Sequence, residues 1–178
     1  MYPNSAGPTV VIHEESVITG GALWAAGTHV LERGLTVQDG VLEIEACSVV
    51  KLPVDGGITV TDGGALRLIG TEDCPIVITS SQGEPARGDW SSIEIDGTAD
   101  GGNNRFEYVV LEYGGGQGYG ALWLDNGAAL AMSNTVVRDS AHFGVEARDD
   151  VTLDDFADNT LTANALGPIA LYANDVAE

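Results

Sequence analysis

Two aspartate pairs lie close together late in this sequence, Asp149-Asp150 and Asp154-Asp155, and His142 precedes the first by seven residues. Paired carboxyl groups suit hydrolysis of a glycosidic bond, which needs one acid and one base or nucleophile about 5–9.5 Å apart. His142, Asp149 and Asp150 are therefore the catalytic candidates. Adjacent residues of a strand point to opposite faces, so solvated turn carboxylates are the preferred reading and no residue is assigned to catalysis. A lyase would instead need a base for a carbon-bound proton, from Arg148, Arg138, Arg105 or Lys51. Its calcium would fall to residues such as Asp125, Asp139 and Asp150.

Calcium could also be held without catalysis. Asp96, Asp100, Asp149 and Asp150 sit in oxygen-rich stretches that offer the hard ligands such a cation takes. Neither a helix-flanked calcium loop nor a Gly-rich nonapeptide repeat accompanies them. No other cofactor is expected. His13, His29 and His142 are scattered, which leaves no tetrahedral zinc set.

The aromatic residues suggest a different chemistry. Trp123, Tyr113, Tyr119 and Tyr172 lie in the second half with Trp90 and Tyr108. Standing outward on one face, they would stack on the rings of a neutral polysaccharide; turned inward, they would only seal the core. Cys47 and Cys74 are 27 residues apart and are read as small buried hydrophobes, with a disulfide as the alternative.

Positioning of these residues rests on a repeat. Tyr119-Gly120-Ala121-Leu122-Trp123 returns as Phe143-Gly144-Val145-Glu146-Ala147, and more weakly as Gly167-Pro168-Ile169-Ala170-Leu171. Asn134-Thr135-Val136-Val137 returns as Asn159-Thr160-Leu161-Thr162. In the first half, Gly34-Leu35-Thr36-Val37 matches Gly57-Ile58-Thr59-Val60 at a spacing of 23. Short alternating runs separated by Asp39-Gly40 and Asp62-Gly63-Gly64 read as strands joined by turns of positive φ. No run carries helical periodicity.

Three short strands per repeat describe an all-β single-stranded parallel β-helix, a solenoid of about six or seven rungs. A lone rung cannot bury its apolar face, so stacking creates the core. Leu42, Ile44, Leu66, Leu68, Ile93, Ile95, Val136 and Leu161 are core candidates. Asn134 and Asn159 would form a structural ladder inside a turn, satisfying backbone groups. Two registers remain open near Trp123. Aligning Gly120 with Gly144 buries Ala121 and Trp123, whereas a slip of one buries Leu122 and Leu124 and turns Trp123 outward.

Length suits a single domain over residues 1–178, with a cap and first strands over 1–29, rungs over 30–173 and a tail over 174–178. The 27 carboxylates against 7 basic residues give a formal net charge of −20. Nucleic acid is a poor partner for such a surface, and no run is long enough for membrane insertion. Met1-Tyr2-Pro3 begins no basic, apolar leader, which fits either a cytoplasmic protein or a mature exported domain.

On these features the chain resembles the right-handed parallel β-helix proteins of the pectate-lyase-like superfold, in particular repeat regions of secreted or surface bacterial proteins that are not enzymes. The resemblance is carried by Gly34 to Val37, Gly70 to Ser80, Gly88 to Ile93, Leu111 to Gly115 and Asp158 to Leu161. It implies an extracellular or cell-surface location and a binding or structural module that contacts polysaccharide or protein. Polysaccharide-degrading relatives give the alternative, since Asp149-Asp150 and Ser140 to Gly144 faintly resemble polygalacturonase-like hydrolases. The resemblance implies a cap at Val10 to Ile18. After Tyr172 little remains to cover the C-terminal edge, so Asn174 to Glu178 fold over it, the solenoid continues, or copies stack end to end as a homo-oligomer.

Overall fold

Inward apolar and outward polar residues alternate along runs of three to six residues, and each run forms a strand that pairs only with its equivalents one turn away. A computed structural model describes residues 9–172. Every strand bonds in parallel to the strand three positions along the chain, which is the topology of a right-handed parallel β-helix.

The first sheet stacks Val10–His13, Thr28–Leu31, Val49–Leu52, Ile76–Ser80, Val109–Glu112, Val136–Arg138 and Thr160–Thr162. The second stacks Val17–Thr19, Leu35–Gln38, Ile58–Val60, Ile93–Ile95, Leu122–Leu124, Phe143–Arg148 and Gly167–Tyr172. The third holds Ala22–Trp24, Gly40–Ile44, Gly64–Ile69, Arg105–Glu107, Ala129–Ser133 and Thr152–Ala157. The segment expected as a cap supplies the first rung. Among the described residues the only helical piece is one turn at Gly116–Gly118. The tail at 174–178 lies outside the described residues.

Ladders of like side chains fill the coil. Trp24, Ile44, Leu68, Phe106 and Met132 succeed one another inside the third sheet. Leu35, Ile58, Ile93, Leu122 and Val145 do so inside the second. Leu42, Leu66, Leu68, Ile93 and Ile95 are fully buried, each worth about 1.5–3 kcal/mol of burial. Val136 is displaced from the core by Val137, which is 0% exposed. The turn residues behave as their chemistry requires, with Asp39, Asp62 and Gly63 all at positive φ.

Two sequence expectations are corrected. Cys47 and Cys74 are not buried hydrophobes: they form a disulfide outside the core, with Cα atoms 4.7 Å apart. Adjacent rungs bring their turns side by side, and the Cys47 N–H also donates to the Cys74 carbonyl at 3.3 Å. The Asn ladder is out by one residue. Val136 pairs with Thr160, so Asn134 stands level with Asp158, both at positive φ, and not with Asn159. Asn159 alone makes the expected bonds, accepting from Thr135 N–H and donating to the Met132 carbonyl at 3.0 Å each.

Candidate functional site on the second sheet

Register decides which side chains the second sheet presents. Leu122 pairs with Val145, Trp123 with Glu146 and Leu124 with Ala147. Leu122 and Leu124 are thereby buried and Trp123 faces outward. The same outward column runs through Thr36, Thr59, Glu94, Trp123 and Glu146, successive rungs about 4.8 Å apart.

At its N-terminal end the column floors a groove of about 410 Å³. Thr36, Thr59, Ser91, Ser92, Asp55 and Glu94 line it with hydroxyls and two carboxylates. The Thr59 hydroxyl donates to Glu94 Oε2 at 3.3 Å. Burial pushes the Glu94 carboxyl up from its usual range; the Thr59 bond opposes this, and the nearby Asp96 and Asp125 charges add to it.

One rung beyond Glu94, the Trp123 indole stacks on Tyr119, centroids 4.2 Å apart and planes 14° from parallel. The Trp123 Nε1 atom is buried without a hydrogen-bond partner. Next comes Glu146, whose side chain is fully buried. Its Oε2 accepts from the Gly120 N–H at 2.9 Å and its Oε1 from Arg148 Nε at 3.0 Å. Gly120 is required here because a Cβ would meet the Glu146 Cβ at 2.9 Å. The Glu146 carboxylate holds the Arg148 guanidinium still more firmly protonated, against a smaller effect of burial. Arg148 also lies over the Tyr172 ring, 4.8 Å from its centroid. His142 Nδ1 is 3.4 Å from Glu146 Oε2 but outside hydrogen-bond geometry.

The structure thus brings Tyr119 and Trp123 together and places Tyr172 on the same outer face, two rungs on. Tyr113 stands apart, half-buried at positive φ in the turn after Val109–Glu112. His142 and the pair Asp149-Asp150 are not gathered. They flank opposite ends of the strand Phe143–Arg148, about 20 Å apart along an extended chain.

Nor do the calcium candidates converge. Asp96 accepts from Thr98 N–H and hydroxyl, at 2.9 and 2.7 Å, and from the Asn126 amide at 2.9 Å. Those bonds hold its carboxyl below the usual range, the Thr98 N–H most. Asp100 accepts from Asn103 at 2.7 Å. Asp149 and Asp150 are exposed turn residues at positive φ. Among the described residues no three His, Cys, Asp or Glu side chains are grouped to hold a metal ion, and no helix is long and apolar enough to cross a membrane.

Thr36, Thr59, Glu94, Glu146 and Gly120 were not among the site residues expected from sequence. The signal for the first three was present: Thr36, Thr59 and Glu94 occupy the same place in matched strand phrases. The sequence model of a family described as a pectate-lyase like beta helix domain matches residues 17–119. No curated protein and no solved structure gives a match.

Proposed function

The chain belongs to the pectate-lyase like beta helix domain family, and from that premise we propose a non-catalytic module that binds a neutral polysaccharide along the outer face of its second sheet. One observation carries this reading. A hydroxyl-lined groove ends at Glu94, and the neighbouring rung presents Trp123 stacked on Tyr119. Hydroxyl and carboxylate groups match sugar hydroxyls as donors and acceptors. An aromatic ring offers a flat apolar platform for a sugar face.

The two column carboxylates do not form a hydrolytic pair. Glu146 is 0% exposed and bonded to Gly120 and Arg148. It does not share a solvent-facing bond site with Glu94, as two hydrolytic carboxyls must. The Cys47–Cys74 disulfide supports an exported or cell-surface setting, since such bonds persist in oxidising compartments.

End-to-end stacking is favoured as a second role by apolar side chains exposed at both coil ends. Val11, level with buried His29, is 37% exposed at one end of the described coil, and Leu171, level with buried Ala147, is 69% exposed at the other. A mass that rises with concentration would support it, and a constant monomer mass would exclude it.

The binding role is tested by screening the purified protein against a broad polysaccharide panel while assaying for new chain ends. Retention without new ends is the expected result. New chain ends would overturn the non-catalytic role, and absence of binding across the panel would overturn the polysaccharide ligand.

A further inference from the structure

Among the described residues the first strand, Val10–His13, lies at the edge of its sheet, paired on one side with Thr28–Leu31. Val10, Val11 and Ile12 are 60%, 37% and 60% exposed, while His13 is 7% exposed. A histidine is therefore the one buried side chain that anchors this strand to the coil. Its ring stacks on Trp24 at 3.9 Å, and Trp24 stacks on His29 at 4.9 Å.

Three contacts in series join the two imidazoles to their surroundings. His13 Nδ1 meets Glu15 Oε1 at 2.8 Å, His13 Nε2 meets His29 Nδ1 at 3.0 Å, and His29 Nε2 meets the Ala25 carbonyl at 2.9 Å. The outer partners are acceptors, so each needs a ring N–H, and the contact between rings needs one more. Three hydrogens on four ring nitrogens is one more than two neutral rings carry and one fewer than two imidazolium ions carry. The network is complete only when the pair holds a single positive charge beside the Glu15 carboxylate.

Adding a proton puts two N–H groups head to head across 3.0 Å and two like charges in a buried site. Among the described residues no other charged side chain bonded to these rings offsets that cost. Glu32 reaches the stack through its backbone N–H, which donates to the His13 carbonyl at 3.1 Å. The Glu45 carboxylate accepts from the Ala26 N–H at 3.0 Å. Burial chiefly holds His29 below its ordinary range, helped by the His13 charge and opposed by the Ala25 carbonyl; the His13 bond holds Glu15 below its own range. For both groups the unfolded form takes up protons first, so the stability they contribute is lost as pH falls.

We propose that the His13–His29 pair is an acid-sensitive latch: with one shared proton it docks the first strand, and uptake of a second releases that strand from Thr28–Leu31. Release sets in as pH falls below the ordinary histidine range, while the remaining rungs, whose interior is aliphatic and aromatic, stay wound.

Amide hydrogen exchange at about pH 7 and about pH 5, corrected for intrinsic rates, tests the latch. Protection at the Val11 and His13 amides should fall by about tenfold or more relative to Ile58–Val60, and His13→Phe, which keeps a ring on Trp24, should abolish that pH dependence. Equal protection at both pH values, or the same loss in His13→Phe, would overturn it. Should the variant fail to fold, imidazole nitrogen NMR of the unaltered protein decides. One unprotonated nitrogen among the four near neutral pH is expected, and two would overturn the latch.

Discussion

Trp123 lies in ring-to-ring contact with Tyr119, four residues earlier, across the tight turn that leads into its strand. Stacked on the tyrosine, the indole is held in one orientation, which limits the entropy lost when a ligand docks. Trp24 and Trp90 are only 6% and 0% exposed. Intrinsic fluorescence should therefore report saccharide binding through Trp123. Replacing Tyr119→Ala should weaken binding several-fold, on the order of 1 kcal/mol, while leaving the far-ultraviolet dichroism unchanged.

The fold was legible because the coil repeats one demand: apolar residues at the same place in each rung. Leu42 with Leu66 and Thr36 with Thr59 announce it at spacings of 24 and 23. The site was less legible because a one-residue slip reverses a strand's faces. Gly120 and Gly144 suggest one register, but burial of Leu122 and Leu124 selects the other. The same slip hid the true neighbour of Asn134, which is Asp158. Glu146 carried no signal, since its burial comes from neighbours that the backbone gathers only on folding. His13 and His29 lie 16 residues apart, shorter than the repeat that flagged the other ladders.

Removing the partner of a buried carboxylate should be costly. Arg148→Ala leaves Glu146 buried with the Gly120 N–H bond but no counter-charge. Such losses reach about 3–5 kcal/mol for fully buried pairs. With the Arg148 side chain 40% exposed, about 2 kcal/mol is expected. Chemical denaturation should show the loss, and Glu146→Gln combined with Arg148→Ala should recover part of it.

Glu94 makes a pH prediction of opposite sign to the latch. Its carboxyl titrates above the ordinary range chiefly through burial, so the folded state binds a proton that the unfolded state has released. Stability is therefore lost as pH rises through that window. Glu94→Gln should raise the melting temperature at neutral pH, and the gain should vanish below the ordinary carboxylate range. Thermal melts at the two pH values measure this directly.

Cys47 and Cys74 close a loop of 27 residues. Constraining a loop of that length in the unfolded chain is worth about 3–4 kcal/mol. Reduction should lower stability by that amount without unwinding the coil, because both sulfurs lie outside the apolar interior. Denaturation with and without reductant gives the comparison.

The most direct test of the binding role is calorimetric titration of the protein and of Trp123→Ala with a neutral polysaccharide retained in the panel. Trp123 points away from the core, so the variant should fold normally and lose on the order of 2 kcal/mol of affinity, about thirtyfold. Unchanged affinity in a folded Trp123→Ala variant would place the ligand elsewhere and contradict the assignment of the second sheet's outer face.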